Sequence, residues 1–239
     1  AQIGQYSENV YFGKKSGLMD QAASSVGGLV FMDFRSPENP EIKAHSFDFE
    51  KYGYTICITD TKGSHSDLSD EYSQVTSEMT AIAKELGCNY LRDVNEEEFY
   101  RQIPRLRSVC SDRAVLRAMH FFDDNRRAGQ ESEALSEKNT GKFLNLIRES
   151  GESSANLLQN LFSAKRPDEQ NIPLALALSK HILKEDCAVR VHGGGFAGTI
   201  QAIIPTRHTE IYACEMERIF GKGACRRLKI RSEGGVKIL

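Results

Sequence analysis

The sequence has no tryptophan, only 6 prolines in 239 residues, and a formal net charge of just −2. With Lys and Arg scattered along the chain, that balance gives no basis for a nucleic-acid or membrane-surface partner. Cys57, Cys88, Cys110, Cys187, Cys214 and Cys225 form no C-x-x-C pair, and the nearest two are 11 residues apart. That spacing is too open for a zinc cluster. No apolar run approaches the roughly 20 residues of a membrane-spanning helix, and no leader segment is legible. Free thiols in a reducing, cytoplasmic compartment are therefore expected. Internal repeats and low-complexity tracts are missing too.

What remains is an ordinary globular balance, 40% hydrophobic and 27% charged, with enough material for a sizeable core. Residues 27–34, 42–49 and 55–60 read as strands, the last a compact β-branched run. Leu68, Tyr72, Val75, Met79, Ile82, Ala83 and Leu86 recur at spacings of three and four and predict a helix over 67–86, stopped by Gly87. Glu96, Glu97 and Glu98 suggest a short solvated helix. Residues 112–148 are helical again, and 157–162 form another short helix. Pro173 sits in the first turn of one more, running to about Ile182. The last fifth changes character: strands over 187–191, 199–205 and 226–230, and a helix over 209–220. Four strands with helices packed to one side predict an α+β sandwich.

Near the start lies the stretch Glu8-Asn9-Val10-Tyr11-Phe12-Gly13-Lys14-Lys15-Ser16-Gly17-Leu18-Met19-Asp20. Gly17 ends an irregular run, and residues 18–25 then read as a short helix. Asp20 falls in its first turn, where free N–H groups and the helix dipole favour negative charge. It can simply charge the helix start. It can equally approach a hydroxyl beside the glycine and take its proton. Near the other end, Gly193, Gly195 and Gly198 satisfy G-x-G-x-x-G. That fingerprint must open a helix, and here it runs into the strand-like 199–205, so a dinucleotide site is set aside. Two readings stay open: a tight turn using positive φ, or a backbone surface pressed against a ligand or a phosphate-binding segment.

Taken in order, three stretches resemble the galactokinases, a branch of the GHMP small-molecule kinases. They are residues 8–21, residues 58–72 (Ile58-Thr59-Asp60 through His65-Ser66-Asp67-Leu68 to Tyr72), and residues 189–202 around Gly193-Gly194-Gly195. The closing residues 225–235 fit as well, so the likeness covers nearly the whole chain.

The resemblance implies a fold, an activity and roles. It implies the two-layer, ferredoxin-like C-terminal domain of a GHMP-type kinase with added helices over 51–239. Residues 1–50 would be a remnant of the N-terminal catalytic domain. Asp20 matches the catalytic aspartate that engages the anomeric hydroxyl of galactose, and Glu8 matches the carboxylate that helps hold Mg2+ on the phosphates of ATP. Gly17 and Tyr72 match positions that contact the sugar, and Gly193, Gly194 and Gly195 match the nucleotide-binding glycine loop that lies against the phosphate-binding region. Such roles suit phosphoryl transfer, which is mainly positioning and charge neutralisation.

Where the family usually has Pro-Cys before this glycine, the chain has Lys15-Ser16. Neither a G-x-x-x-E-H-x-D-Y run nor a G-L-x-S-S-S run occurs in the sequence. The resemblance places these, the galactose signature and the phosphate loop, in an N-terminal half. The chain, opening on Ala1 without Met, accordingly reads as the C-terminal half of such an enzyme. It is expected to be inactive alone, to lack its N-terminal half as partner, and to self-associate weakly through bared apolar surface. A sugar- and nucleotide-sensing regulator of the same fold, or a kinase for N-acetylgalactosamine, is the alternative.

Overall fold

The computed structural model describes residues 1–13, 16–36, 38–63, 68–184 and 187–236. Helix α1 (Gln2–Tyr6) widens into a π-type turn over Ser7–Tyr11, and α2 (Met19–Val26) leads to a hairpin of β1 (Leu29–Asp33) and β2 (Glu41–His45). The body begins at β3 (Tyr54–Asp60). It continues through α3 (Ser69–Glu85), α4 (Glu96–Val109), α5 (Asp112–Ser136), α6 (Thr140–Ser153) and α7 (Asn171–Leu183). It closes with β4 (Ala188–His192), β5 (Thr199–Pro205), α8 (Thr209–Phe220) and β6 (Cys225–Leu228). The four body strands form one antiparallel sheet in the order β4-β5-β3-β6.

The sheet's period of two sends its apolar residues both ways. On one face Cys57, Val191, Ile200, Ala202 and Ile204 pack against Ile172 and Ala175 of α7 and Tyr212 and Met216 of α8. On the other, Ile56, Ala188 and Ile203 pack against Ala134 and Leu135 of α5 and Phe143, Leu144 and Ile147 of α6. Helices thus cover both faces, where the sequence pattern predicted one. The strands carry near-continuous apolar runs because both faces are dry, a pattern that the count of strands and helices cannot reveal.

Three local expectations change as well. The acidic triplet 96–98 is the first turn of a 14-residue helix, capped by the Asn95 side chain, which accepts from the Glu98 N–H at 2.9 Å. Phe99 and Leu106 of that helix are fully buried in a core shared with α3 and α5. Pro104 lies inside the helix, and as a nominal breaker it hides the i, i+4, i+7 spacing of Phe99, Ile103 and Leu106. The helix expected over 157–162 is instead a π-type turn, Ser154–Leu158, ended by Gln159 in the left-handed region at φ 57°. The strand expected over 42–49 ends at His45, and Asp48 then accepts from the Glu50 N–H at 3.0 Å in a turn. Residues 64–67, including the expected start of α3 and the His65-Ser66-Asp67 part of the second motif, lie outside the described residues, as do Lys14 and Lys15.

One ion-pair network ties α3 to α5. Arg117, 1% exposed, donates to Glu78 Oε2 at 2.9 Å and to the Leu158 carbonyl at 3.1 Å, while Arg113 grips the same Glu78 at 2.6 Å. Removing Arg117 leaves Glu78 paired with Arg113 but takes the side-chain donor from the Leu158 carbonyl. Arg117→Ala is expected to destabilise the chain by roughly 1–3 kcal/mol, the usual cost of a buried acceptor left without its donor, read as a shifted urea midpoint. A change under about 1 kcal/mol, the value of an exposed pair, would show that the network carries little.

Candidate active site

Asp20 lies in the first turn of α2, which buries Leu18 and Ala22 beneath it, one helical turn apart. Its carboxylate is turned to solvent and makes no capping bond, since Leu18 holds the N-cap position without a side-chain partner. The loop before the helix is clipped in place by polar side chains. Asn9 Oδ1 accepts from the Ser16 N–H at 2.8 Å, and the Gln5 side-chain amide donates to the Ser16 carbonyl at 3.2 Å. That clip puts the turn carrying Glu8 beside Gly17. Glu8, Ser16, Gly17, Met19, Asp20, Gln21 and Ser24 line one open hollow of about 420 Å³.

The glycine turn is built differently. Gly193, Gly195 and Gly198 have φ of +74°, +81° and +96°, and even Phe196 is left-handed at +61°. Positive φ is therefore one reason for the glycines. The second is space. A Cβ on Gly194 would meet Tyr72 Cε1 at 2.6 Å, and one on Gly195 would meet the Asn160 carbonyl oxygen at 2.1 Å, whereas one on Gly193 would meet nothing within 4 Å. The backbone is indeed pressed against something, and that something is the chain's own Tyr72 and Asn160. The Tyr72 hydroxyl donates to the Gly195 carbonyl at 2.9 Å, and its ring meets Phe196 edge-on at 5.5 Å. Desolvation pushes the Tyr72 phenol up from its ordinary value. Thr61 fixes the far end of the turn, its N–H and hydroxyl both donating to the Gly198 carbonyl at 2.9 and 2.7 Å. The turn feeds β5 directly and opens no helix.

The sequence-derived candidates therefore fall into two groups. Glu8, Gly17 and Asp20 share the hollow, while Tyr72 and Gly193 to Gly195 meet at the turn. Neither Tyr72 nor the glycines line the hollow around Asp20. Among the described residues no three of His, Cys, Asp and Glu cluster as a metal cage would. Glu8 and Asp20 put two carboxylates on the hollow, and carboxylate oxygens are the donors that a hard cation such as Mg2+ takes.

Comparison with known proteins finds galactokinases among the sequences similar to this chain. The galactokinase of Actinobacillus pleuropneumoniae serotype 3 is 29% identical over 214 residues, 88% of this chain and 52% of that protein. The galactokinase of Mannheimia succiniciproducens is 26% identical over 236 residues, 98% of this chain and 57% of that one. The chain is similar to these galactokinases. It spans about half the length of the curated galactokinases that it matches. The crystal structure of Lactococcus lactis galactokinase complexed with galactose superposes with a TM-score of 0.76 at 19% identity, covering 99% of this chain and 60% of that one. L. major mevalonate kinase in complex with R-mevalonate superposes at 0.51 and 11% identity, covering 90% and 53%. The fold is thus the α+β fold of these kinases. No family model matches the chain.

Sequence reasoning missed Asn9, Thr61 and Asn160, which hold the two groups in place. Asn160 carried a faint signal, since Gln159-Asn160 interrupts the apolar pairs Leu157-Leu158 and Leu161-Phe162. The glycines give the cleanest test. Gly195→Ala meets both strain and a backbone clash and is expected to cost at least about 2 kcal/mol in a denaturation midpoint. Gly193→Ala meets only the left-handed penalty of about 1–2 kcal/mol. Equal losses would mean that space is not what selects glycine at 195.

Proposed function

We propose that this chain is the C-terminal portion of a galactokinase, which moves the terminal phosphate of ATP onto the anomeric hydroxyl of galactose. The observation that carries the reading is the gathering of Glu8, Gly17 and Asp20 around one open hollow at the start of a helix, in a chain whose sequence relatives are galactokinases. Asp20 is the group that orients the attacking hydroxyl and takes its proton. Glu8 helps hold Mg2+, which when bound neutralises charge on the phosphates. Gly17 lets the sugar approach the backbone, and Tyr72 belongs to the sugar side as well as bracing the turn. Gly193, Gly194 and Gly195 lie against the nucleotide phosphates, with Gly193 the open member.

Residues 1–50 are the edge of the catalytic domain and 51–239 the smaller domain. Strand-helix-strand-strand-helix-strand order with the sheet sequence β4-β5-β3-β6 supports a ferredoxin-like arrangement for the latter. No described helix is long and apolar enough to cross a membrane. Galactose, ATP and an N-terminal half carrying the phosphate loop complete the site. Ile3, Tyr11, Phe12 and Met19 are each more than half exposed, which supports a surface made to be covered. Weak self-association of the isolated chain should follow, seen as mass rising with concentration in light scattering; a constant monomer mass would remove it.

The decisive assay is ATP- and galactose-dependent phosphorylation. In the full-length protein Asp20→Asn is expected to slow turnover by roughly 10²–10⁴, the usual worth of a positioned proton acceptor. A loss under about threefold, far outside that range, would take Asp20 out of the role. The isolated chain is expected to show no turnover, because it lacks the phosphate loop whose amides would stabilise the transferring charge. Turnover by it would overturn that half of the reading.

A further inference from the structure

The loop that follows α6 reaches the glycine turn through one residue. Gln159, left-handed at φ 57°, throws the chain out of the π-type turn, and Asn160 then lies 3% exposed beneath the glycines. Its carbonyl accepts from the Phe196 N–H at 2.5 Å, and its side-chain Nδ2 donates to the Gly194 carbonyl at 3.1 Å. The turn is thus held from two sides, by Asn160 below and by the Tyr72 hydroxyl on the Gly195 carbonyl. The loop is itself anchored, because buried Arg117 holds the Leu158 carbonyl two residues earlier.

Asn160 is an unusual choice if folding alone selects it. Its side-chain oxygen Oδ1 is buried without a hydrogen-bond partner, a costly state in an interior. What the carboxamide does is fix the carbonyl of Gly194, and so the direction in which the neighbouring Gly193, open to space, is presented. A backbone cradle is useful to a ligand only when its peptide planes are set in advance.

We propose that Asn160 is the positioning residue of the triple-glycine turn, holding the peptide after Gly194 so that Gly193 faces the nucleotide phosphates. The nucleotide half of this statement rests on the galactokinase reading above. The mechanical half does not.

Two measurements separate them. In the chain itself, Asn160→Ala and the isosteric Asn160→Asp remove the donor to Gly194. Amide hydrogen exchange over 193–197 is expected to quicken by about tenfold, the equivalent of one hydrogen bond lost from a local opening equilibrium. Exchange in α7 and α8 stays unchanged. Rates within about twofold of the parent, the scale of no lost bond, would overturn the proposal. So would the loss of cooperative unfolding in both variants, since Asn160 would then be a folding residue.

In the full-length protein the same variants are expected to raise the KM for ATP by about tenfold, with kcat and the KM for galactose nearly unchanged. An unaltered KM for ATP in a parent that phosphorylates galactose would overturn the nucleotide half. A parent without any phosphorylation, but with quickened exchange in the variants, would sink the galactokinase reading and leave Asn160 in its mechanical role.

Discussion

Tyr54–Asp60 and Thr199–Pro205 pair residue for residue along the middle of the sheet, and Asp60 faces Thr199 at one end of that ladder. The next residue on each side continues the contact, with Thr61 donating twice to the carbonyl of Gly198. The turn from β4 into β5 can therefore leave the sheet at only one corner. Helix α3 begins at Ser69, and Tyr72 sits in its first turn. The tyrosine is within reach of the turn because the strand pairing delivers both. Once it is there, the ring occupies the space above Gly194 and the Asn160 backbone occupies that beside Gly195. The pairing sets the place and the packing sets the residue type.

A second close approach holds the region of Asp20. The α2–β1 junction lies backbone to backbone on the tail after β6. Gly28 donates to the Arg231 carbonyl at 2.8 Å and Gly235 to the Ser25 carbonyl at 3.0 Å. A Cβ on Gly27 would meet Gly234 N at 2.4 Å, and one on Gly234 would meet the Ser25 oxygen at 2.1 Å. Arg92 adds a 2.6 Å ion pair to Asp33 at the end of β1. The hairpin and helix that carry the carboxylate are thereby joined to the body through the last residues of the chain. Both chemical groups of the candidate site depend on glycine permitting main chain to touch main chain or an aromatic ring.

That shared device explains what could be read in advance. The β-branched runs of β3 and β5, the spacing of α3 and the amphipathic stretch of α5 are local signals, and their elements lie within a few residues of expectation. The glycines at 193–195 are legible as special, because positive φ is a property of one residue. The neighbours that press on them are not, since Asn160 comes 34 positions before Gly194, in a stretch whose leucines imitate a helix. Sidedness was hidden for a related reason. Alternation identifies buried positions along a strand, and only the third dimension shows that Ile56 and Cys57 meet different helices.

The hollow around Asp20 has one more consequence on the kinase reading. Glu8 and Asp20 place two carboxylates on a single open surface, which costs little while water screens them. A triphosphate brought to the same place adds more negative charge, and closing the site would strip away the screening that makes the arrangement tolerable. In this chain Glu8 and Asp20 line an open hollow, whereas the glycine turn is held by Tyr72 and Asn160. An arrangement that is acidic and open on one side, rigid and backbone-lined on the other, suits a reaction in which the phosphates are held still and the sugar hydroxyl comes to meet them.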